Sequence, residues 1–444
     1  MSAYFVQGTL ESPLHGQGGN VALAETLTKL KTGFSRTFWV GNGLELLERL
    51  AYYGSKAILF VYVKEHLALG PEKAGWLVGS VFNTLLYLLP VLAGTIVDRY
   101  GFKKSLMICF SVFCVGYFLI GLAGIPAGKP LVDAVGPTNY LLIALIITAA
   151  GGSLIKPSIV GTVARTTTEE TKSLGYSIYY MLVNLGGAIG PLLALPVRQN
   201  IGIAYVLMMS SLTSFVLIVL TLLFFKEPPR PADAPPAKSM GKVLKDMVMV
   251  FGNARFMAFL VIFSGFWLMF WQIFYSLPVY VKDVLKFEKF EIIETVDAFT
   301  IILLVTPLTA LANRLKPIAA MTLGFALASA SWFVMASAVS LPLTVAAIIL
   351  FAFGEAIQAP RYYAYVADLA PKEQVGTYMG FAFLPVAIGT FGAGILAGWL
   401  VKTYIESGRP NAPHMWFVVG FIGVAATLLM LAYDKLIAKK PAAA

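Results

Sequence analysis

Histidine and cysteine are almost missing from this chain, with three of the first and two of the second in 444 residues. Cys109 and Cys114 fall in one apolar segment, which excludes a disulfide framework and a cysteine metal site. His15, His66 and His414 fall at or beyond the ends of the expected helices, so protons crossing the interior must ride on carboxylates. Charge is scarce too: Asp, Glu, Lys and Arg make up 13%, about half the usual share of a soluble domain. No nucleophile–His pair, Walker loop, metal-spaced cluster or appended soluble domain is found, so neither an enzyme nor a resident cofactor is expected. The first 35 residues hold no continuous apolar run, which argues against a cleavable signal peptide.

What the chain has instead is apolar length. Twelve segments are long enough to cross a bilayer: 37–64, 74–97, 104–125, 140–164, 174–197, 202–225, 255–281, 290–312, 317–340, 342–368, 376–402 and 414–437. The expected fold class is an all-α polytopic membrane protein with the lipid bilayer as its surroundings. The net charge of +10 does not point to nucleic acid, because the bases cluster in short loops between apolar runs. Loops after even-numbered segments carry Arg99, Lys103, Lys104, Arg165, Lys172, Arg230, Lys238, Lys242, Arg314, Lys316 and Lys372, and the tail carries Lys435, Lys439 and Lys440. Both termini are therefore expected in the cytoplasm. The short loops suggest a bacterial inner membrane, and a monomer is expected.

The chain divides at Glu227-Pro-Pro-Arg-Pro-Ala-Asp-Ala-Pro-Pro-Ala-Lys238, which cannot continue a helix and reads as a stiff linker. The expected organisation is a cytosolic tail over 1–36 with one short helix near Leu23–Leu30, a six-helix bundle over 37–226, a cytosolic linker over 227–253, a second bundle over 254–438 and a tail over 439–444. The halves echo each other. Lys156-Pro157 matches Ala359-Pro360, Val163-Ala164 matches Val366-Ala367, and the loop at Asp98 has a worn counterpart at Asn313-Arg314-Leu-Lys316. Repeated six-helix halves are the plan of many secondary transporters, with the site between them.

The first segment is the costly one. Glu45, Glu48, Arg49 and Lys56 sit inside it, and a charge at mid-bilayer costs roughly 2.5–3.5 kcal/mol on insertion scales. Residues 45, 49, 52 and 56 share one helix face, so Glu45, Arg49, Tyr52 and Lys56 line one wall. Such residues survive where they face protein or a water-filled cavity.

Gly94-Thr-Ile-Val-Asp98-Arg99-Tyr-Gly101-Phe-Lys103-Lys104 resembles the loop signature of the major facilitator superfamily, a fold of two six-helix bundles. Its residues would make a tight turn whose charges bridge to neighbouring helix ends. Four further patterns resemble the proton-dependent oligopeptide transporter family. They are Glu45 to Gly54 with Lys56, Tyr87-Leu-Leu-Pro90, Lys156-Pro157 after Gly151-Gly152, and Tyr179-Tyr180-Met-Leu-Val-Asn184-Leu-Gly186. In segment 10, Glu355 stands five residues before Pro360, as in that family.

The resemblance implies alternating access and symport of di- or tripeptides, with the proton as coupling ion. Glu45, Glu48 and Arg49 would couple the proton. Arg49, Lys56 and Lys156 would hold a substrate carboxylate, and Glu355 a substrate ammonium. Tyr52, Tyr53, Tyr87, Tyr180, Asn184 and Trp271 would line the pocket. A plainer alternative stands beside each: Glu48 as a structural partner of Arg49 or Lys156, the tyrosines as packing.

The departures favour a second cargo. Trp271 stands where the family has the acid that pairs with the first-helix base, here Lys56. Segment 8 has Ala298 in place of an Asn, with Glu294 and Asp297 on one face as a possible substitute negative charge. Arg361-Tyr362-Tyr363 would shrink and recharge the pocket. These changes fit a non-peptide organic anion or amphipathic metabolite, by uptake or efflux.

Overall fold

Lipid cannot hydrogen-bond a backbone, so each crossing segment must satisfy its own N–H and C=O groups as a helix. The computed structural model describes residues 29–30, 32–230, 240–371, 375–407 and 410–438. Twelve spans run through it: α1 (36–66), α2 (70–100), α3 (Phe102–Leu122), α4 (Pro137–Thr166), α5 (Lys172–Asn200), α6 (Ile203–Phe224), α7 (Ala254–Val284), α8 (Phe290–Ala312), α9 (Pro317–Ser337), α10 (Leu341–Leu369), α11 (Tyr378–Tyr404) and α12 (Ala412–Ala438). Ten are long and apolar enough to cross a membrane on composition alone, and α2 joins them as a pair of helices bent by 41°. The exception is α1, because its middle carries Glu45, Glu48, Arg49 and Lys56. The chain is an integral membrane protein.

Side chains cap the starts of several spans. Ser35 accepts from the Phe38 N–H at the start of α1, and Asn253 accepts from the Phe256 N–H at the start of α7. The cap of α3 comes from far away. Gly101 turns the chain with φ of 83°, and the Glu227 carboxylate accepts from the N–H groups of Phe102 and Lys103 at 2.8 and 2.6 Å. A carboxylate there also meets the positive end of the helix dipole. Glu227 therefore belongs to the first six spans rather than only opening a linker. After it, the connection carries an amphipathic helix, Met240–Phe251, which the composition of 227–253 did not suggest. The tail helix expected near Leu23–Leu30 falls almost wholly outside the described residues, and so does the Pro-rich run 231–239.

Four spans are interrupted near their middles. α2 breaks at Leu89 before Pro90, α4 at Ser153-Leu154, α7 at Trp271, and α11 at Ala382-Phe383. Proline removes a donor and clashes with the preceding turn, which accounts for the breaks beside Pro90, Pro157 and Pro385. Irregular backbone at membrane depth is tolerated where protein or a cavity surrounds it.

The first and last six spans meet chiefly where α1 packs on α7, α2 on α11 and α5 on α8, and α1 also touches α8. Contact is tightest at the distal end, the one away from the described termini. There α2 and α11 touch backbone to backbone. A Cβ added to Gly394 would lie 2.3 Å from the Gly75 carbonyl oxygen and 2.8 Å from the Gly79 Cα. Buried polar groups cross between the same two sets of spans: Asn83 donates to the Tyr275 hydroxyl at 2.7 Å and Ser80 donates to the Phe391 carbonyl at 2.7 Å, while Tyr275 also meets Thr390 within the last six spans at 2.7 Å. Around the rim, Lys64 pairs with Asp283 and Glu406, Lys282 with Glu65, Arg198 with Glu291, and Lys402 with Glu72. Nearer the termini, Tyr87, Leu88, Val91, Phe381 and Leu384, with the linker helix's Met247 and Phe251, line a small apolar cleft.

Replacing Gly394 by leucine is expected to force the distal ends of α2 and α11 apart. Spin labels on those ends should report a longer inter-label distance than in the wild type, and an unchanged distance would contradict the backbone seam.

Candidate functional site

The interruptions bring the charged and aromatic residues together. α1 delivers Glu45, Glu48, Arg49, Tyr52, Tyr53 and Lys56, and the break in α4 turns Lys156 toward them. Arg49 pairs with Glu45 at 3.3 Å and, more closely, with its neighbour Glu48. Its guanidinium lies over the Tyr52 ring, 4.9 Å from the centroid. A Cβ on Gly186 of α5 would come 2.3 Å from the Arg49 Cβ, so that glycine is what lets α5 close on the arginine. Lys156 lies in electrostatic reach of Glu45, Glu48 and Arg49. Its ammonium rests between two rings, Tyr87 at 5.3 Å and Phe383 at 4.9 Å. Two acids and two bases thus form one buried group whose charges balance, the condition for keeping ions in a low-dielectric interior.

Lys56 is placed differently. Its ammonium approaches five ring centroids: Phe274 at 3.4 Å, Trp271 at 4.2 Å, Tyr53 at 5.2 Å, and Tyr52 and Phe270 at 5.8 Å. Trp271 is fully buried, stacks on Tyr275 and meets Tyr87 edge-on. Arg49 and Lys56 lie over the same Tyr52 ring, and Arg49 is in electrostatic reach of Lys56. Arg49 and Lys156 share the α1–α4 group, while Lys56 sits in an aromatic cage. The negative charge near Lys56 comes from Glu294 and Asp297 on α8 and Glu355 on α10. Both α8 acids are buried, so they do not lie in water at the helix end.

Tyr180 is 38% exposed although it lies in electrostatic reach of Glu355 and Tyr363, so it faces an open space between α5 and α10 rather than lipid. Asn184 donates to the Tyr180 carbonyl at 2.8 Å, one turn back on α5. Arg361 does not enter the pocket. It donates to the Leu315 carbonyl at 2.5 Å and reaches Asn313 at 3.4 Å, tying α10 to the end of α8. Tyr362 packs against Phe263 and donates to the Ala382 carbonyl. The expectation that Arg361, Tyr362 and Tyr363 recharge and shrink the pocket is corrected for the first two, which main-chain carbonyls of Leu315 and Ala382 hold elsewhere, while Tyr363 lies in electrostatic reach of Glu355, Tyr87 and Tyr180. In the loop signature, Asp98 and Arg99 are exposed, Gly94 faces open space, and Lys103 bridges to the Leu222 carbonyl at the end of α6. Lys104 is exposed as well. Phe383, Phe270 and Phe274 escaped the sequence reading, and Tyr179 stood in a family pattern without a role at the site. Tyr179 lies in reach of Glu45 and Arg49. An aromatic in an apolar run carries no signal of its own, although Phe383 could have been marked by its place two residues before Pro385.

The family model of the Major Facilitator Superfamily matches residues 46–384 and 291–443. The chain belongs to the major facilitator superfamily. It is a membrane transporter, not an enzyme, and its twelve helices have the fold of that superfamily. Curated relatives include the Multidrug resistance protein MdtH of Escherichia coli O1:K1, 24% identical over 371 residues, covering 81% of this chain and 86% of the relative. Among solved structures, a POT family transporter in complex with 5-aminolevulinic acid matches with TM-score 0.74 at 17% identity, over 92% of this chain and 98% of that one. A second, in complex with a thioalcohol-conjugated peptide, matches with TM-score 0.74 at 18% identity, over 91% and 97%. The nucleoside transporter NupG matches with TM-score 0.68 at 15% identity, over 89% and 99%.

Replacing Arg49 by methionine would leave Glu45 and Glu48 buried without their cation, a loss of roughly 3–5 kcal/mol for a broken buried pair. The variant is expected to melt well below the wild type. The deficit should shrink as pH falls, because protonation removes the uncompensated charge. A pH-independent deficit in thermal unfolding would contradict the pairing.

Proposed function

We propose that this transporter is a proton-coupled symporter of di- or tripeptides or similar small carboxylate-bearing substrates, working by alternating access. The observation that carries the reading is the buried group of Glu45, Glu48, Arg49 and Lys156 at the convergence of the broken helices. A substrate carboxylate binds Arg49 and Lys156 strongly because the site is poor in water. It competes there with Glu45 and Glu48, and a proton on either acid frees the cations for substrate. Glu355, across the open space from Tyr180, receives the substrate ammonium. Tyr52, Tyr53, Tyr87, Asn184 and Trp271 supply the walls. The coupling ion is the proton and no cofactor takes part. The likeness of the fold to POT family transporters, one of them holding a peptide conjugate, supports this reading.

The protein works as a monomer in a bacterial inner membrane with both termini cytoplasmic. On that orientation the distal end faces outward, and the sealed rim described above closes the outside.

A second reading keeps the fold and changes the cargo to a non-peptide organic anion or amphipathic metabolite. The aromatic cage around Lys56 favours it, since Trp271 fills the place of an acid. The multidrug resistance relatives point the same way. Glu355 separates the two: Glu355→Gln is expected to weaken peptide uptake and to improve transport of an anion.

The direct test is uptake of labelled di-alanine into proteoliposomes under an inward proton gradient. Wild-type protein is expected to accumulate it. Glu48→Gln is expected to lose uphill accumulation while keeping exchange of labelled for unlabelled peptide. Uphill accumulation by Glu48→Gln at the wild-type level would overturn the coupling role of that acid.

A further inference from the structure

Three carboxylates gather around the one ammonium of Lys56. Glu294 and Asp297 come from α8 and Glu355 from α10. Lys56 is 6% exposed and, among the described residues, makes no ion pair or hydrogen bond within contact distance; its neighbours are the five rings. Glu294 is 3% exposed, and among the described residues neither of its carboxylate oxygens has a hydrogen-bond partner. Asp297 Oδ1 and Glu355 Oε2 are buried and unpartnered as well. If all were ionised, the group would hold two negative charges in excess of its one cation. Buried ions survive when paired, and each unpaired one costs several kcal/mol. Neutral carboxyl groups remove the excess.

The placement suggests a route as well as a site. Glu291, Glu294 and Asp297 follow one another at three-residue intervals on α8, each about 4.5 Å further along the axis and turned by about 60°, so Glu294 neighbours both while Glu291 and Asp297 diverge. Glu291 belongs to the distal rim, where Arg198 of α5 holds it. Asp297 lies at the level of the open space, in reach of Tyr180 of α5. Ala298 beside it packs near Tyr53 and Gly187, on the seam between the two groups of six spans. The other charges at the neighbouring end of α7, Lys282 and Asp283, are engaged with Glu65 and Lys64. Lys56, Glu355, Glu291 and Tyr180 are the groups in electrostatic reach of the α8 pair; Arg49 acts on Lys56 in turn, and Arg198 is taken by Glu291.

We infer that Glu294 and Asp297 form a second proton-binding site, on α8, that loads protons beside Lys56 independently of Glu45 and Glu48. It takes over on α8 the acidic role that Trp271 vacates on α7. The site belongs to the coupling scheme proposed above, but it can be read without any substrate.

The experiment is infrared difference spectroscopy of the purified protein in nanodiscs during a pH titration, following the C=O stretch of protonated carboxyl groups. The wild type is expected to show bands from buried protonated carboxyls near neutral pH. Glu294→Gln or Asp297→Asn is expected to lose at least one of them. Bands unchanged in both variants would overturn the site. Disappearance of the wild-type bands when sodium replaces choline at fixed pH would also overturn it, because a metal cation rather than a proton would then balance the charge. If Glu294→Gln does not fold, Glu294→Asp keeps the carboxyl but withdraws it by one methylene. Its band must then shift, and an unshifted band overturns the site. Failure of di-alanine uptake leaves this result untouched, so the two ideas fail separately.

Discussion

The whole arrangement depends on the price of a charge in a medium that cannot solvate it. α1 breaks the rule for a membrane span by carrying two acids and two bases in its middle, and the rest of the molecule is organised to make that tolerable. The charges cannot face lipid, so α1 lies inside, packed on α5, α6 and α7. Arg49 takes both acids of its own helix. Lys156 is brought in from α4 by a break beside Pro157, and Lys56 is surrounded by rings rather than oxygen. Each solution has different chemistry, and together they set two polar groups side by side within one apolar body.

The breaks and the seam act in concert. Interrupting α2, α4, α7 and α11 near mid-membrane frees side chains and bends backbone where the polar groups lie. The distal halves of α2 and α11 then close on small residues, while α5 and α8 are clamped by Arg198 and Glu291. The terminal halves part around an apolar cleft. Closure at one end and separation at the other is the geometry that rocking about a central site demands.

Much of this was legible in the sequence. Long apolar runs give spans directly, so all twelve were placed with ends shifted by a few residues. Helix-face arithmetic put Glu45, Arg49, Tyr52 and Lys56 on one wall, and the missing acid at Trp271 led to Glu294 and Asp297. The linker helix Met240–Phe251 was hidden because Pro-rich sequence before it set the tone for the whole connection. The cage around Lys56 was hidden because Phe270 and Phe274 look like any membrane aromatic. Arg361 was misjudged because its partners, Asn313 and the Leu315 carbonyl, are distant in sequence. A main-chain carbonyl leaves no mark in composition. Glu227 was read as the first residue of a linker for the same reason, since its partners are backbone N–H groups 125 and 124 residues away.

The distal seam is built of two materials. Its inner part is backbone against backbone at Gly75, Gly79 and Gly394, where no mobile ion can intervene. Its rim is ionic, and the outermost pair, Lys402 with Glu72, is more than half exposed on both sides. Exposed pairs are screened by dissolved salt within a Debye length of about 8 Å at physiological ionic strength, whereas packed glycines are indifferent to it. The electrolyte at that end can therefore loosen the rim without touching the inner contact, and the ease of opening becomes a property of the surrounding solution as well as of the protein.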